Sequence, residues 1–171
     1  MGRLTNALRG ASAPRDAKDA AAAIKRVHGR GASRWLAQQA GISQRQAQRR
    51  LSGQAASGRG RGPQVEDLAE PEALSAEALM SATAIDAGHV DVTYNGKSQG
   101  TRKVGLVNID GALKGELTEV ANMLMDGDDA GAEQALSDAL LGAYTARTGG
   151  DRDQLKGTLN VSSFRTGFHI L

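Results

Sequence analysis

The sequence predicts an α+β protein, a small all-helical N-terminal domain containing a helix-turn-helix followed by a small α+β domain of order ββααββ. Three observations predict it. Charge divides the chain in two. Residues 1–62 carry 13 Lys/Arg against two acids, Asp16 and Asp19, a net of +11, whereas residues 63–171 carry eight against 17, a net of −9. Apolar residues recur at helical spacing throughout the first half, and alternating β-branched runs occur only in the second.

The elements follow in order. Residues 1–15 are rich in Gly, Ala, Arg and Ser without clear periodicity and read as a loose arm, so Arg3, Arg9 and Arg15 are candidates for phosphate or minor-groove contact. Asp16–His28 favours helix, with Asp16 as N-cap and Gly29 as stop. Ser33 is placed to cap a second helix, Arg34 to Ala40, ended by Gly41. A third runs from about Ser43 to Ser52 and stops at Gly53. The stretch GQAASGRGRGP, residues 53–63, holds four glycines and marks a linker, so the domains are set at 1–62 and 63–171. Arg59 and Arg61 within it are further candidates for phosphate contact.

In the second half, Pro71 suits the start of a helix around Glu72 to Thr83. His89–Tyr94 alternates as a strand, Asn95-Gly96 makes a turn, and Lys103–Ile109 reads as the second strand. Leu113–Met125 and Ala130–Thr145 are helical, and two short strands close the chain near Gly157–Ser162 and Thr166–Leu171.

The stretch with chemical content is RWLAQQAGISQRQAQRRLS, Arg34 to Ser52. A helix-turn-helix needs apolar residues where two short helices cross, a small residue at the crossing, and a glycine where φ is positive. Gly41 fills the turn, and Ala37 lies four residues before it. Leu36, Ala40, Ile42, Ala47 and Leu51 face inward, with Arg50 a polar residue at a position that is commonly apolar. The outer face of the second helix is then Ser43, Gln44, Arg45, Gln48, Arg49 and Ser52. Arginine reaches guanine O6 and N7 with two hydrogen bonds, and glutamine pairs with adenine N6 and N7. Recognition helices read bases with their N-terminal residues, so Gln44 and Arg45 are expected to read, and Arg49 and Arg50 to divide between base and phosphate. Arg30 and Arg34, near the start of the preceding helix, suit phosphate.

Composition narrows the alternatives. The chain has no cysteine, which excludes disulfides and thiolate zinc sites and fits a reducing compartment. Five aromatic residues leave a mostly aliphatic core, with Trp35 as the main aromatic of the N-terminal one. No apolar run approaches the ~20 residues of a membrane helix, and the first residues lack a secretory signal. A cytoplasmic, nucleoid-associated protein without cofactor, metal or membrane contact is expected. Gly96-Lys97-Ser98 is not a phosphate loop, because Asp91 stands where its first glycine belongs and no helix follows. Asp126, Asp128, Asp129 and Glu133 lack the spacing of a calcium loop and suit a helix N-terminus. His28, His89 and His169 have no ligand spacing. No nucleophile–base pair can be read from the sequence, so an enzyme is not expected.

The segment GISQRQAQRRLSGQ, Gly41 to Gln54, resembles the corresponding segment of actinomycete telomere terminal proteins, which are attached to the 5′ ends of linear chromosomes and plasmids. The likeness rests on Gly41, Ser43, Gln44, Arg45, Arg49, Gly53 and Gln54. The second half is similar in layout: a strand pair, a helical middle, a Tyr-containing helix (Ala139 to Tyr144), a Gly-Gly turn and a closing strand pair. Val65–Glu77, with five acids, departs from the family's more basic connection, and Ala47 and Arg50 stand where it carries larger apolar residues. The resemblance implies a divergent member: a protein in which a hydroxyl accepts the first nucleotide from a DNA polymerase, partnered by a larger telomere-binding protein. The corresponding hydroxyls are Ser98 and Thr101, expected in an inter-strand loop. A dimeric helix-turn-helix regulator of transcription or plasmid maintenance is the alternative reading, and a scaffold protein is a third.

Overall fold

The fold is seen in a computed structural model, which describes residues 3–14, 16–54, 65 and 68–171. It mixes helix with two small antiparallel sheets, an α+β arrangement. Two compact units form, Ala13–Leu74 and a second made of the first helix together with Ser75–Leu171. The expected division after residue 62 therefore differs from the structural one, which falls between Leu74 and Ser75 inside a helix, Pro71–Ser81.

In the N-terminal unit, helix α2 (Ala17–His28) begins where the Asp16 carboxylate accepts from the N–H groups of Lys18 and Asp19, two donors that the first turn cannot satisfy itself. A 3-10 turn, Gly29–Gly31, leads into α3 (Ala32–Ala40), and α4 (Gln44–Leu51) follows. The first turn of α3 has no side-chain cap, so Ser33 does not have its expected role and lies one residue inside the helix. Ala20, Ala21 and Ile24 of α2 pack with Ala32 and Leu36 of α3, and with Ala47 and Leu51 of α4. So many alanines let the helix backbones approach closely around a small aliphatic core.

The C-terminal unit opens with an unexpected element. Residues 3–12, read from sequence as part of a loose arm, form helix α1 (Arg3–Ser12). Leu4 and Leu8, one turn apart, are fully buried. The Leu4 N–H donates to Glu133 Oε1 at 3.1 Å, and Arg9 forms an ion pair with Asp129 at 2.6 Å. Arg9 is thus held within the protein, while Arg15, Arg59 and Arg61 lie outside the described residues.

Helix α5 (Pro71–Ser81) starts at Pro71, where its missing N–H costs nothing. The strands are β1 (Ala84–Asp86), β2 (His89–Tyr94), β3 (Lys97–Lys103), β4 (Leu106–Asn108), β5 (Asn160–Phe164) and β6 (His169–Ile170). They pair in two antiparallel sheets, β4-β1-β6 and β3-β2-β5. The chain passes between sheets at Ala87-Gly88 and again at Val104-Gly105, and these crossings bond to each other. Gly105 donates to Gly88 O at 2.8 Å, and Ala87 donates to Gly105 O at 3.2 Å. The expected strand Lys103–Ile109 is accordingly two pieces. Gly105, at φ 67°, breaks it by adopting a left-handed conformation that an L side chain resists. The expected order ββααββ lacks β1 and β3.

Helices α6 (Gly111–Met125) and α7 (Asp129–Arg147) start at Asp110 and Asp128, whose carboxylates accept from Leu113 and Gly131 N–H. Leu113, Leu117, Val120 and Leu124 of α6 and Leu136, Leu140 and Leu141 of α7 pack with Val90, Val92, Val161, Leu4 and Leu8 in one core. The acidic run at Asp126–Glu133 thus does structural work: Asp128 caps α7, and Asp129 and Glu133 dock α1. Among the described residues no helix is long and apolar enough to cross a membrane.

Because α1 closes this core, Leu8→Ala should lower the unfolding free energy by about 2–5 kcal/mol, the range for a buried leucine. Urea unfolding of the full chain measures it. A loose arm would leave the midpoint unchanged.

Candidate nucleic-acid interface

The connection between α3 and α4 is short. Gly41 sits at φ 62° and ψ 34°, left-handed, and its N–H together with that of Ile42 (3.1 Å) reaches back to Ala37 O. A Cβ at Gly41 would meet nothing, so glycine is required there by backbone conformation and not by space. Two residues later α4 begins in a capping box. Ser43 Oγ accepts from Gln46 N–H at 3.3 Å, and Gln46 Oε1 accepts from Ser43 N–H at 3.0 Å. Gln46 is thereby committed to the helix end, a role the sequence reading missed although Ser-x-x-Gln is its signature.

Ala47 is fully buried and Leu51 nearly so. At 3.6 residues per turn, Arg45 and Arg49 lie one above the other on the opposite side of α4. Ser43, Gln44, Arg45, Gln48, Arg49 and Ser52 are all exposed, and Arg50 is half-buried. Gln44 Nε2 donates to Ser33 Oγ at 3.4 Å, a long contact that ties the start of α4 to the first turn of α3. Arg30 lies in the 3-10 turn and Arg34 in α3, both exposed. None of Arg30, Arg34, Arg45, Arg49 and Arg50 has a carboxylate partner among the described residues. Five guanidinium groups of this unit are thus left without a direct counter-charge among the described residues. Trp35 is half-buried at the margin of this core, stacked on His28 with ring centroids 4.1 Å apart.

The two candidate hydroxyls are not in a loop. The turn is only Asn95-Gly96, with φ 47° and 74°, and both Ser98 and Thr101 lie in β3. KSQGTRK has no apolar residue to reveal a strand, which is why it reads as a loop. The hydroxyls have different surroundings. Ser98 is exposed, its Oγ accepting from Gly100 N–H at 3.3 Å. Thr101 is half-buried and donates to Asp91 Oδ1 at 2.7 Å. The same carboxylate accepts from Arg165 Nε at 2.7 Å and from Ser163 Oγ at 3.0 Å. The Thr101 hydroxyl, then the Arg165 guanidinium, hold the Asp91 carboxyl below the ordinary carboxylate value.

Between α6 and α7 lies a groove of about 340 Å³ lined by Glu116, Glu119, Met123, Ala135, Asp138 and Lys156. Glu116 pairs with Arg152 and with Lys156, so its charge is compensated inside the unit. No group of three or more His, Asp or Glu among the described residues is placed to hold a metal. Comparison with protein-family models, with curated proteins and with solved structures finds no match.

A carboxyl whose folded value is depressed adds stability that is fully present above its ordinary value of 3.8 and drains away as pH falls through the lowered one. Asp91→Asn should therefore lose less stability than the parent on acidification. Urea midpoints measured between about pH 6 and about pH 3 show it, and equal losses in the two proteins would contradict it.

Proposed function

We propose that this chain binds duplex DNA through a helix-turn-helix made by α3 and α4, and that it is a divergent terminal protein of linear replicons. The observation that carries the DNA reading is the face of α4. Arg45 and Arg49, with Gln48 beside them, point away from Ala47 and Leu51 and have no carboxylate partner among the described residues. A helix bearing such a face fits the major groove, where guanine and adenine present the acceptors and donors that Arg and Gln match. Arg45 and Gln48 read bases, Gln44 and Arg49 contribute beside them, and Arg30, Arg34 and Arg50 meet phosphates, with Ser43 and Ser52 at the two ends of the contact.

The terminal-protein role rests on the resemblance of Gly41–Gln54. Of the two hydroxyls, Thr101 is the one we assign to priming, because Asp91 lies against it as an ionised proton acceptor. In that step Thr101 Oγ bonds to the α-phosphorus of a deoxynucleoside triphosphate, pyrophosphate leaves, and the hydroxyl proton passes to Asp91. The partners are a DNA polymerase and a larger telomere-binding protein. A homodimer is proposed as well, and the regulator alternative is separated by selection of bound sequences from a random pool. Terminal, hairpin-forming sequences are expected. An internal palindrome with half-sites roughly 34 Å apart would favour the regulator.

Arg45→Ala should weaken binding to the selected site by about 1–3 kcal/mol and relax preference at one base position. Gel-shift titration against single-base variants of the site checks both. Undiminished affinity with the parent's preference would remove Arg45 from the readout.

A further inference from the structure

The C-terminal unit is acidic as a whole, yet a group of its cations lies along β3 and the elements beside it. β3 is an edge strand, bonded to β2 alone, and KSQGTRK carries Lys97, Arg102 and Lys103 with no acid. At its far end Lys103 pairs across β2 with His89. The last turn of α7 brings the Arg147 guanidinium onto the Lys103 carbonyl oxygen. Just beyond β5, Arg165 donates its backbone N–H to His89 O at 2.8 Å. Arg102, Lys103, Arg147 and Arg165 are thus collected at one corner, and Lys97 continues the series to the hairpin tip.

Arg165 is compensated by Asp91 at 2.7 Å. Lys97, Arg102, Lys103 and Arg147 have no carboxylate partner among the described residues. Elsewhere in the unit Arg9, Arg152 and Lys156 are paired, whereas Arg3 and Lys114 have no carboxylate partner among the described residues. Lysines on an open edge discourage strand-to-strand aggregation. That accounts for Lys97 and Lys103 but not for a guanidinium delivered from α7.

The arrangement has the shape of a track. From Lys97 to Lys103 an extended strand covers about 20 Å at ~3.3 Å per residue. Duplex DNA repeats a phosphate charge about every 3.4 Å along each strand. With cations grouped at one end of β3 and Lys97 at the other, the series is longer than one compact anion and reaches several phosphates of a polyanion. We infer that the open edge of β3, with Arg147, is a second DNA contact that follows the phosphate backbone and adds affinity without base preference. This inference rests on the proposal that the chain binds duplex DNA, and not on how α4 reads bases.

The full chain tests it. R102Q/K103Q removes two charges from exposed or half-exposed positions and should melt with the parent. The slope of log K against log salt should fall by about 2, and affinity for a labelled duplex at ~0.1 M salt should fall about 3- to 10-fold, with base preference unchanged. K97Q, at the opposite end, should lower the slope by about 1. In an R45A/R49A chain, residual salt-dependent binding should persist and drop further when R102Q/K103Q is added. Identical slopes and affinities for parent, K97Q and R102Q/K103Q would overturn the inference. So would a parent chain without salt-dependent DNA binding. Inorganic tripolyphosphate binding that R102Q/K103Q abolishes, with the DNA slope unmoved, would also overturn it by showing a compact anion site.

Discussion

The direction in which α4 faces depends on one small piece of geometry: a left-handed Gly41 followed by burial of Ala47 and Leu51 against Leu36, Ala20 and Ile24. The turn fixes where α4 starts, the capping box fixes its first residue, and the two buried side chains fix its rotation. Once rotation is fixed, Arg45 and Arg49 stand exposed on the opposite side of α4. A β-branched residue at position 41 would have to hold a positive φ, and a larger residue at 47 would push α4 off the alanine-rich surface beneath it. Either change would tilt the cationic face without altering a single charge.

The acidic excess of the second half has a different physical role from the basic excess of the first. Its carboxylates turn inward on the structure. Asp110 and Asp128 start helices, Asp129 and Glu133 hold α1, and Glu116 joins Arg152 and Lys156. The arginines of α3 and α4 have no such partners among the described residues. Net charge alone describes the two halves as opposites. The placement of partners separates charges used in folding from charges left available to a ligand.

Much of the N-terminal unit is legible in the sequence because its signals are local. Asp16, Gly29, Gly41 and Ser43 each act within four residues of where they stand, and α2 and α4 lie within a residue of expectation. Helix α1 was not legible. Its only apolar anchors are Leu4 and Leu8, and its polar partners Asp129 and Glu133 are more than a hundred residues away. β3 was hidden by having no apolar residue, and β1 by being three residues long. The Thr101–Asp91 contact was hidden by one irregularity. Continuing the Tyr94–Lys97 and Thr93–Ser98 pairs without a bulge would set Gly100 opposite Asp91, and the register shift between Asp91 and Thr93 brings Thr101 there instead.

Entry of the α4 face into a major groove is the claim on which the functional account stands, and guanine N7 reports on it most directly. N7 lies in the major groove and is an acceptor for arginine. With full-length protein and a selected site, methylation of N7 at one or two guanines should block binding, while methylation of N3 in the minor groove at adenines of the same site should not. Binding indifferent to N7 methylation at every guanine would contradict the account.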